Sequence, residues 1–154
     1  MSTSYNTATL SNGLRVIHRK SHSAIVYCGY QIAVGTRDEA PGEEGLAHFC
    51  EHVTFKGTAR RRSMQVINCL ESIGGEMNAF TNKQATVFYA ALQKEHFTKA
   101  VDLLSDIVFH STYPQHEIDK EVEVICEAIE SYEDTPAELI FDDFENAIFR
   151  GHPL

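Results

Sequence analysis

The sequence runs to 154 residues, 43% hydrophobic and 23% charged, which is enough to bury a core and excludes a disordered chain, a collagen or a disulfide-held miniature. Thirteen Lys and Arg against twenty-two Asp and Glu leave a net charge of −9, so a general binder of nucleic acid or anionic membrane is excluded, because phosphate affinity comes from cationic side chains. No apolar run approaches the roughly 20 residues of a membrane span, and Met1-Ser2-Thr3-Ser4-Tyr5-Asn6-Thr7 lacks the basic and apolar regions of a secretory leader.

Tyr5 to Leu10 alternates apolar and polar residues, meets Ser11-Asn12-Gly13 and resumes as Leu14-Arg15-Val16-Ile17-His18, which predicts a β-hairpin. Ala24 to Val34 is rich in β-branched and aromatic residues and reads as a buried strand, followed by a loop over 35–42. From Glu43 the period changes. Leu46, Phe49 and Val53 predict a helix to about Phe55, ended by Gly57. Arg60-Arg61-Arg62 reads as a solvated loop. Ser63 is the expected N-cap of a second helix with Met64, Ile67, Leu70 and Ile73 on its apolar stripe, closed by Gly74-Gly75.

Residues 76–81 and 85–92 then read as an antiparallel pair joined by Thr81-Asn82-Lys83-Gln84. Three helices follow, over 94–110, 114–132 and 135–149. The last is signalled by Thr135-Pro136-Ala137-Glu138, with Thr at the N-cap, Pro at the first helical position and Glu at the third. Without internal repeat or linker, this order predicts a single α+β domain over 1–154, an antiparallel or mixed sheet packed against helices. Cys28, Cys50, Cys69 and Cys126 form no C-x-x-C pair, so buried free thiols and a cytoplasmic location are expected.

His48-Phe49-Cys50-Glu51-His52 carries the chemistry. On a helix, positions 48 and 52 differ by about 40° and position 51 lies about 60° to the other side of 48, so both imidazoles and the carboxylate project from one face. Two histidines four apart can chelate one divalent ion, and Zn²⁺ suits imidazole nitrogen. Glu51, beside them without needing to ligate, is placed to take a proton from metal-activated water. The bland alternative is two surface histidines that happen to lie four apart. H-x-x-E-H is, however, the inverzincin signature.

The flanks extend the match. Gly45-Leu46-Ala47-His48-Phe49-Cys50-Glu51-His52-Val53-Thr54-Phe55-Lys56-Gly57-Thr58 resembles the central motif of the pitrilysin, insulinase and mitochondrial processing peptidase family of zinc metallopeptidases. Gly74-Gly75-Glu76-Met77-Asn78-Ala79-Phe80-Thr81, the Thr86-Val87-Phe88-Tyr89 strand, the opening hairpin and Tyr132-Glu133-Asp134-Thr135-Pro136 fit the same family, so the resemblance spans nearly the whole chain. It implies a peptidase in which His48 and His52 bind Zn²⁺, Glu51 activates water, and an extended peptide lies along an edge strand at Asn78-Ala79-Phe80. That mode is β-augmentation, in which unpaired backbone groups align the peptide. Read from its residues alone, Asn78 could equally be a strand-end residue satisfying its own turn.

The resemblance also exposes a departure. The family completes its metal site with a glutamate on a later helix, at the position that is Ala128 here, and carries another two turns earlier, where Glu121 stands to support the site behind its ligands. Glu127 is turned about 100° around the helix from Ala128, and Glu121 lies about 10 Å along the axis, so neither replaces the missing carboxylate without backbone adjustment. Catalytic zinc normally has three protein ligands, so weakened metal binding and impaired hydrolysis are expected. An engineered change, a naturally inactive homologue and a rearranged Glu127 remain open as accounts of Ala128. The alternative function is a non-catalytic peptide-binding module or partner subunit on the same fold.

Family members are usually more than twice as long, and their second half closes over the site. The chain ends at Gly151-His152-Pro153-Leu154, within a stretch that continues in the family, so the expectation is a truncated N-terminal part of a half-clamshell. It would need a C-terminal half or partner subunit to complete the cleft, with a peptide substrate and a possible homo-oligomer as its other partners.

Overall fold

Alternating side chains build the sheet against which the rest of the chain packs. The computed structural model describes residues 5–152, apart from the side chains of Glu133 and Glu138. The expectations for Met1 to Ser4, for Pro153-Leu154 and for the Glu138 side chain lie outside the described residues.

Strands β1 (Asn6–Thr9) and β2 (Arg15–His18) pair antiparallel, Thr9 opposite Arg15, as the hairpin reading requires. Their loop is Ser11-Asn12-Gly13. The Leu10 N–H donates to the Leu14 carbonyl at 2.9 Å, and Gly13 takes the left-handed φ of 87° that closes such a three-residue turn. Both strands are exposed, so their alternation marks pairing rather than burial.

The main sheet has order β3-β5-β4, all antiparallel, from β3 (Ile25–Ile32), β4 (Glu76–Thr81) and β5 (Thr86–Gln93). The expected strand over 24–34 is present, but it is covered on one face only. Val26, Cys28, Tyr30 and Ile32 turn inward, whereas Ile25 and Tyr27 are exposed, because β3 lies at a sheet margin with helices on one side.

On that inner face lies α3 (Phe97–His110). Ala100, Leu103, Leu104 and Ile107 follow the i, i+3, i+4, i+7 pattern and are fully buried against Phe88, Ala90 and Leu92 of β5. Burial of each Leu or Ile contributes about 1.5–3 kcal/mol, so this face anchors the domain.

Helix α2 (Ser63–Glu71) corrects two expectations. Its N-cap is Arg62 rather than Ser63, because the Gln65 side chain reaches back to accept the Arg62 N–H at 2.8 Å. Its buried residues are Val66 and Leu70, while Met64 and Ile67 are exposed. Leu70 and Ile73 of the predicted stripe do face the core, which meets the helix on their Val66 side.

The solvated reading of the three arginines holds for the exposed Arg60 and Arg62 and is corrected at Arg61. Arg61 is mostly buried and pairs with Asp102 and Asp106 of α3, and Arg60 donates to Asp102 at 3.1 Å. Asp106 is 1% exposed and also accepts the Thr58 hydroxyl at 2.8 Å. Arg61, with Arg60 beside it, staples this otherwise exposed segment to α3.

Helices α1 (Leu46–Thr54), α4 (Gln115–Glu133) and α5 (Pro136–Ile148) complete the chain. Thr135 and Pro136 hold the expected positions at the start of α5, but the Thr135 hydroxyl donates back to the Ser131 carbonyl at 2.9 Å instead of capping. All four cysteines are free, with Cys50 and Cys126 exposed and Cys28 and Cys69 half-buried, so none is a fully buried thiol. The α+β class and antiparallel pairing are those the sequence pattern predicts. No helix among the described residues is long and apolar enough to cross a membrane.

Candidate active site

Helix α1 carries His48, Glu51 and His52. Gly45, its N-cap, has a φ of 90° and no side chain to offer the first turn. The helix packs beside β4, the strand on the opposite margin of the sheet from β3, and against α4. These neighbours divide the functional side chains between two faces.

The imidazoles converge. His48 Nε2 and His52 Nε2 are 3.1 Å apart, with their rings edge to face. Two bonds of about 2.0–2.1 Å at a tetrahedral angle would hold such nitrogens about 3.3 Å apart, so the pair fits two corners of one zinc ion. His52 is fixed from behind, where its Nδ1 lies 2.9 Å from Glu121 Oε1 on α4. A carboxylate there favours the tautomer with hydrogen on Nδ1 and the lone pair on Nε2. The other oxygen of Glu121 accepts from Lys56 Nζ at 2.5 Å. Burial works to raise the Glu121 carboxyl, but the hydrogen bonds and charges of Lys56 and His52 outweigh it and hold the group below its ordinary range.

Glu51 is buried and turns toward the sheet, where its Oε2 accepts the Thr81 hydroxyl at 2.5 Å. Thr81 is the last residue of β4, three positions beyond Asn78. Asn78, Ala79 and Phe80 lie on this strand, whose far edge pairs with no other strand among the described residues. The Asn78 side chain accepts the Ala79 N–H at 2.8 Å, so the competitor for an incoming peptide is the strand's own amide. Phe80 is half-exposed and meets Tyr89 edge to face with ring centres 6.3 Å apart.

The third ligand does not materialise. Ala128 and Glu127 are both exposed on α4, and among the described residues no group of three or more His, Cys, Asp or Glu side chains is placed to hold a metal. The donor set therefore fits a two-histidine site and does not fit the three-ligand set of a catalytic zinc.

Three residues escaped the sequence reading. Thr81 stood in a quoted motif without a role. Lys56 lies four positions after His52, a spacing that brings both to one carboxylate. Glu39, in an aperiodic loop, accepts the N–H groups of Gly45 and Ala47 at 2.9 and 2.8 Å. No local pattern marks a cap supplied from six residues upstream.

Known proteins resemble the chain over nearly its whole length. A family profile described as Insulinase (Peptidase family M16) matches residues 15–154. An uncharacterized zinc protease of Rickettsia bellii is 38% identical over all of this chain and 38% of its own length. The zinc protease YmxG of Bacillus subtilis is 37% identical over 95% of the chain and 36% of its own. The beta subunit of the mitochondrial-processing peptidase of Caenorhabditis elegans is 36% identical over 95% of the chain and 32% of its own. A crystal structure of a protease from Helicobacter pylori superposes with a TM-score of 0.92 at 23% identity, covering 98% of this chain and 37% of that one. The chain thus spans well under half the length of these relatives, and over that span it belongs to the insulinase family of peptidases.

Proposed function

We propose that the chain is the metal-site part of a zinc-dependent metalloendopeptidase, impaired because Ala128 stands in the place of the third ligand. The observation that carries this reading is the convergence of His48 and His52 on a helix that lies against the open-edged strand β4. Zn²⁺ bound between the imidazoles would supply Lewis acidity. The chain's own contributions are distinct from it. Glu121 holds the His52 tautomer, Glu51 is the proton acceptor, and Asn78, Ala79 and Phe80 align an extended peptide by backbone pairing. An acidic cleft, in keeping with the net charge of −9, would favour basic peptides.

A C-terminal half or a partner subunit would cover the site, in line with the fraction of the relatives' length that the chain spans. Cysteine usage supports a reducing, cytoplasmic compartment.

The exposed Ala128 favours a second reading, a peptide-binding or partner subunit without turnover. Zinc content and peptide cleavage of the full-length protein against its Ala128→Glu variant decide between them. Higher zinc occupancy and cleavage in the variant support the missing-ligand account, and equal values in both defeat it. Peptide binding that persists with chelator and without turnover selects the second reading.

A further inference from the structure

Helix α1 has nine residues and places His48 in its first turn, where backbone N–H groups have no intrahelical partner and helices fray. Gly45 cannot cap this turn itself. The Leu46 N–H donates to the Glu43 carbonyl at 3.0 Å, and the Glu39 carboxylate accepts its neighbours on either side, Oε2 from the Gly45 N–H at 2.9 Å and Oε1 from the Ala47 N–H at 2.8 Å. A carboxylate at this end also complements the helix dipole.

Glu39 is itself anchored to the opposite side of the site. The Thr36 N–H donates to the Asn82 carbonyl and the Arg37 N–H to the Lys83 carbonyl, both at 3.1 Å. Asp38 Oδ2 accepts the Gly35 N–H at 2.9 Å, closing the segment on itself. Its approach to the β4–β5 turn is so close that a Cβ on Gly35 would lie 2.2 Å from the Asn82 oxygen. Asn82 directly follows Thr81, the residue that holds Glu51. One strap, 35–39, therefore joins the end of the edge strand to the start of the histidine helix.

We infer that Glu39 is the positioning residue of this site, setting the first turn of α1, and with it His48, against the β4 edge. The inference rests on the reading of His48 and His52 as a metal pair. It is tested in the full-length protein with Glu39→Ala and Glu39→Gln, and with Glu44→Gln as control, since Glu44 caps only its own turn at Gly42. The readouts are hydrogen exchange over residues 43–50 and affinity for Co²⁺ alone.

Glu39→Ala is expected to exchange the first-turn amides roughly tenfold faster, the effect of losing a cap, and to bind Co²⁺ several-fold more weakly. Glu39→Gln, which keeps one acceptor oxygen, falls between, and Glu44→Gln matches the wild type. Unchanged exchange in Glu39→Ala overturns the inference. So does faster exchange with unchanged Co²⁺ affinity, which reduces Glu39 to a helix cap. A wild-type protein that takes up no Co²⁺ defeats the metal reading itself, an outcome distinct from both.

Discussion

The Thr81 hydroxyl donates to Glu51 Oε2 at 2.5 Å, so the last residue of the edge strand holds the acidic side chain of the histidine helix. Thr81→Val keeps the shape and removes the donor, leaving a buried carboxylate oxygen without its partner. The expected cost is about 1–3 kcal/mol. Thr81→Ser, which restores the hydroxyl, should recover most of it. Urea midpoints of the three proteins check this, and equal midpoints for Val and wild type would show the bond to be energetically idle.

Glu121 is the hinge of the second relationship, with His52 on one oxygen and Lys56 on the other. Glu121→Gln removes the anionic acceptor that fixes the imidazole, and loss of such a partner lowers metal affinity by about 10–100-fold. Zinc titration against a chromophoric chelator gives the number. Equal affinity in the variant would mean that His52 is oriented by something else.

Acid stability should carry the mark of the arginine staple. Hydrogen bonds from Arg61 and then Arg60, with their charges, lower the Asp102 carboxyl from its ordinary value of 3.8. A carboxyl depressed in the folded state contributes stability that is complete above that ordinary value and is lost as pH falls through the folded one. Asp102→Asn should therefore flatten the fall in stability below about pH 4, read from denaturation midpoints across the acid range. An unchanged acid slope would assign the effect to other carboxylates.

Asp106 is the buried end of the same staple, and its Oδ1 has no hydrogen-bond partner among the described residues, with His110 Nδ1 at 3.6 Å. Asp106→Ala strands the Thr58 hydroxyl and leaves Arg61 to Asp102 alone. We expect a loss of about 3 kcal/mol, the lower end for breaking a buried pair, because Arg61 keeps one partner. Thermal or urea unfolding measures it, and a loss below about 1 kcal/mol would place the pair with ordinary surface bridges.

Elements set by local pattern were legible in the sequence. The 3.6 period of Ala100, Leu103, Leu104 and Ile107 and the period of two in Phe88, Ala90 and Leu92 each report one buried face, and those faces meet. What stayed hidden depends on partners distant in the chain. Nothing beside Arg61 indicates that Asp102 and Asp106 lie in reach from a helix far along the chain, so one arginine of a run read as solvent-facing became a staple. Val66 rather than Ile67 faces the core because the sheet, absent from any helical wheel, decides which flank of α2 is covered.

The site divides in the same way. The facing of His48 and His52 follows from helix geometry, but that geometry set Glu51 on the same face, whereas its carboxylate turns to Thr81 on the sheet. Of the ties that give these residues direction, Glu121 was foreseen through the family resemblance, whereas those from Glu39 and Thr81 come from a loop and a strand distant in the chain. Sequence spacing carries no information about those two meetings.

The open margin of β4 has a consequence apart from peptide recognition. A row of unpaired backbone groups pairs with any extended strand, including the same strand of another molecule, and apolar edges of this kind seed aggregation. Phe80 adds exposed apolar surface along β4, while Met77 and Ala79 pack against the core, and Glu76 is the one charged residue on the strand. Glu76, at the start of the strand, would set like charges against each other where two such edges approach in parallel register, which is the place of a gatekeeper residue.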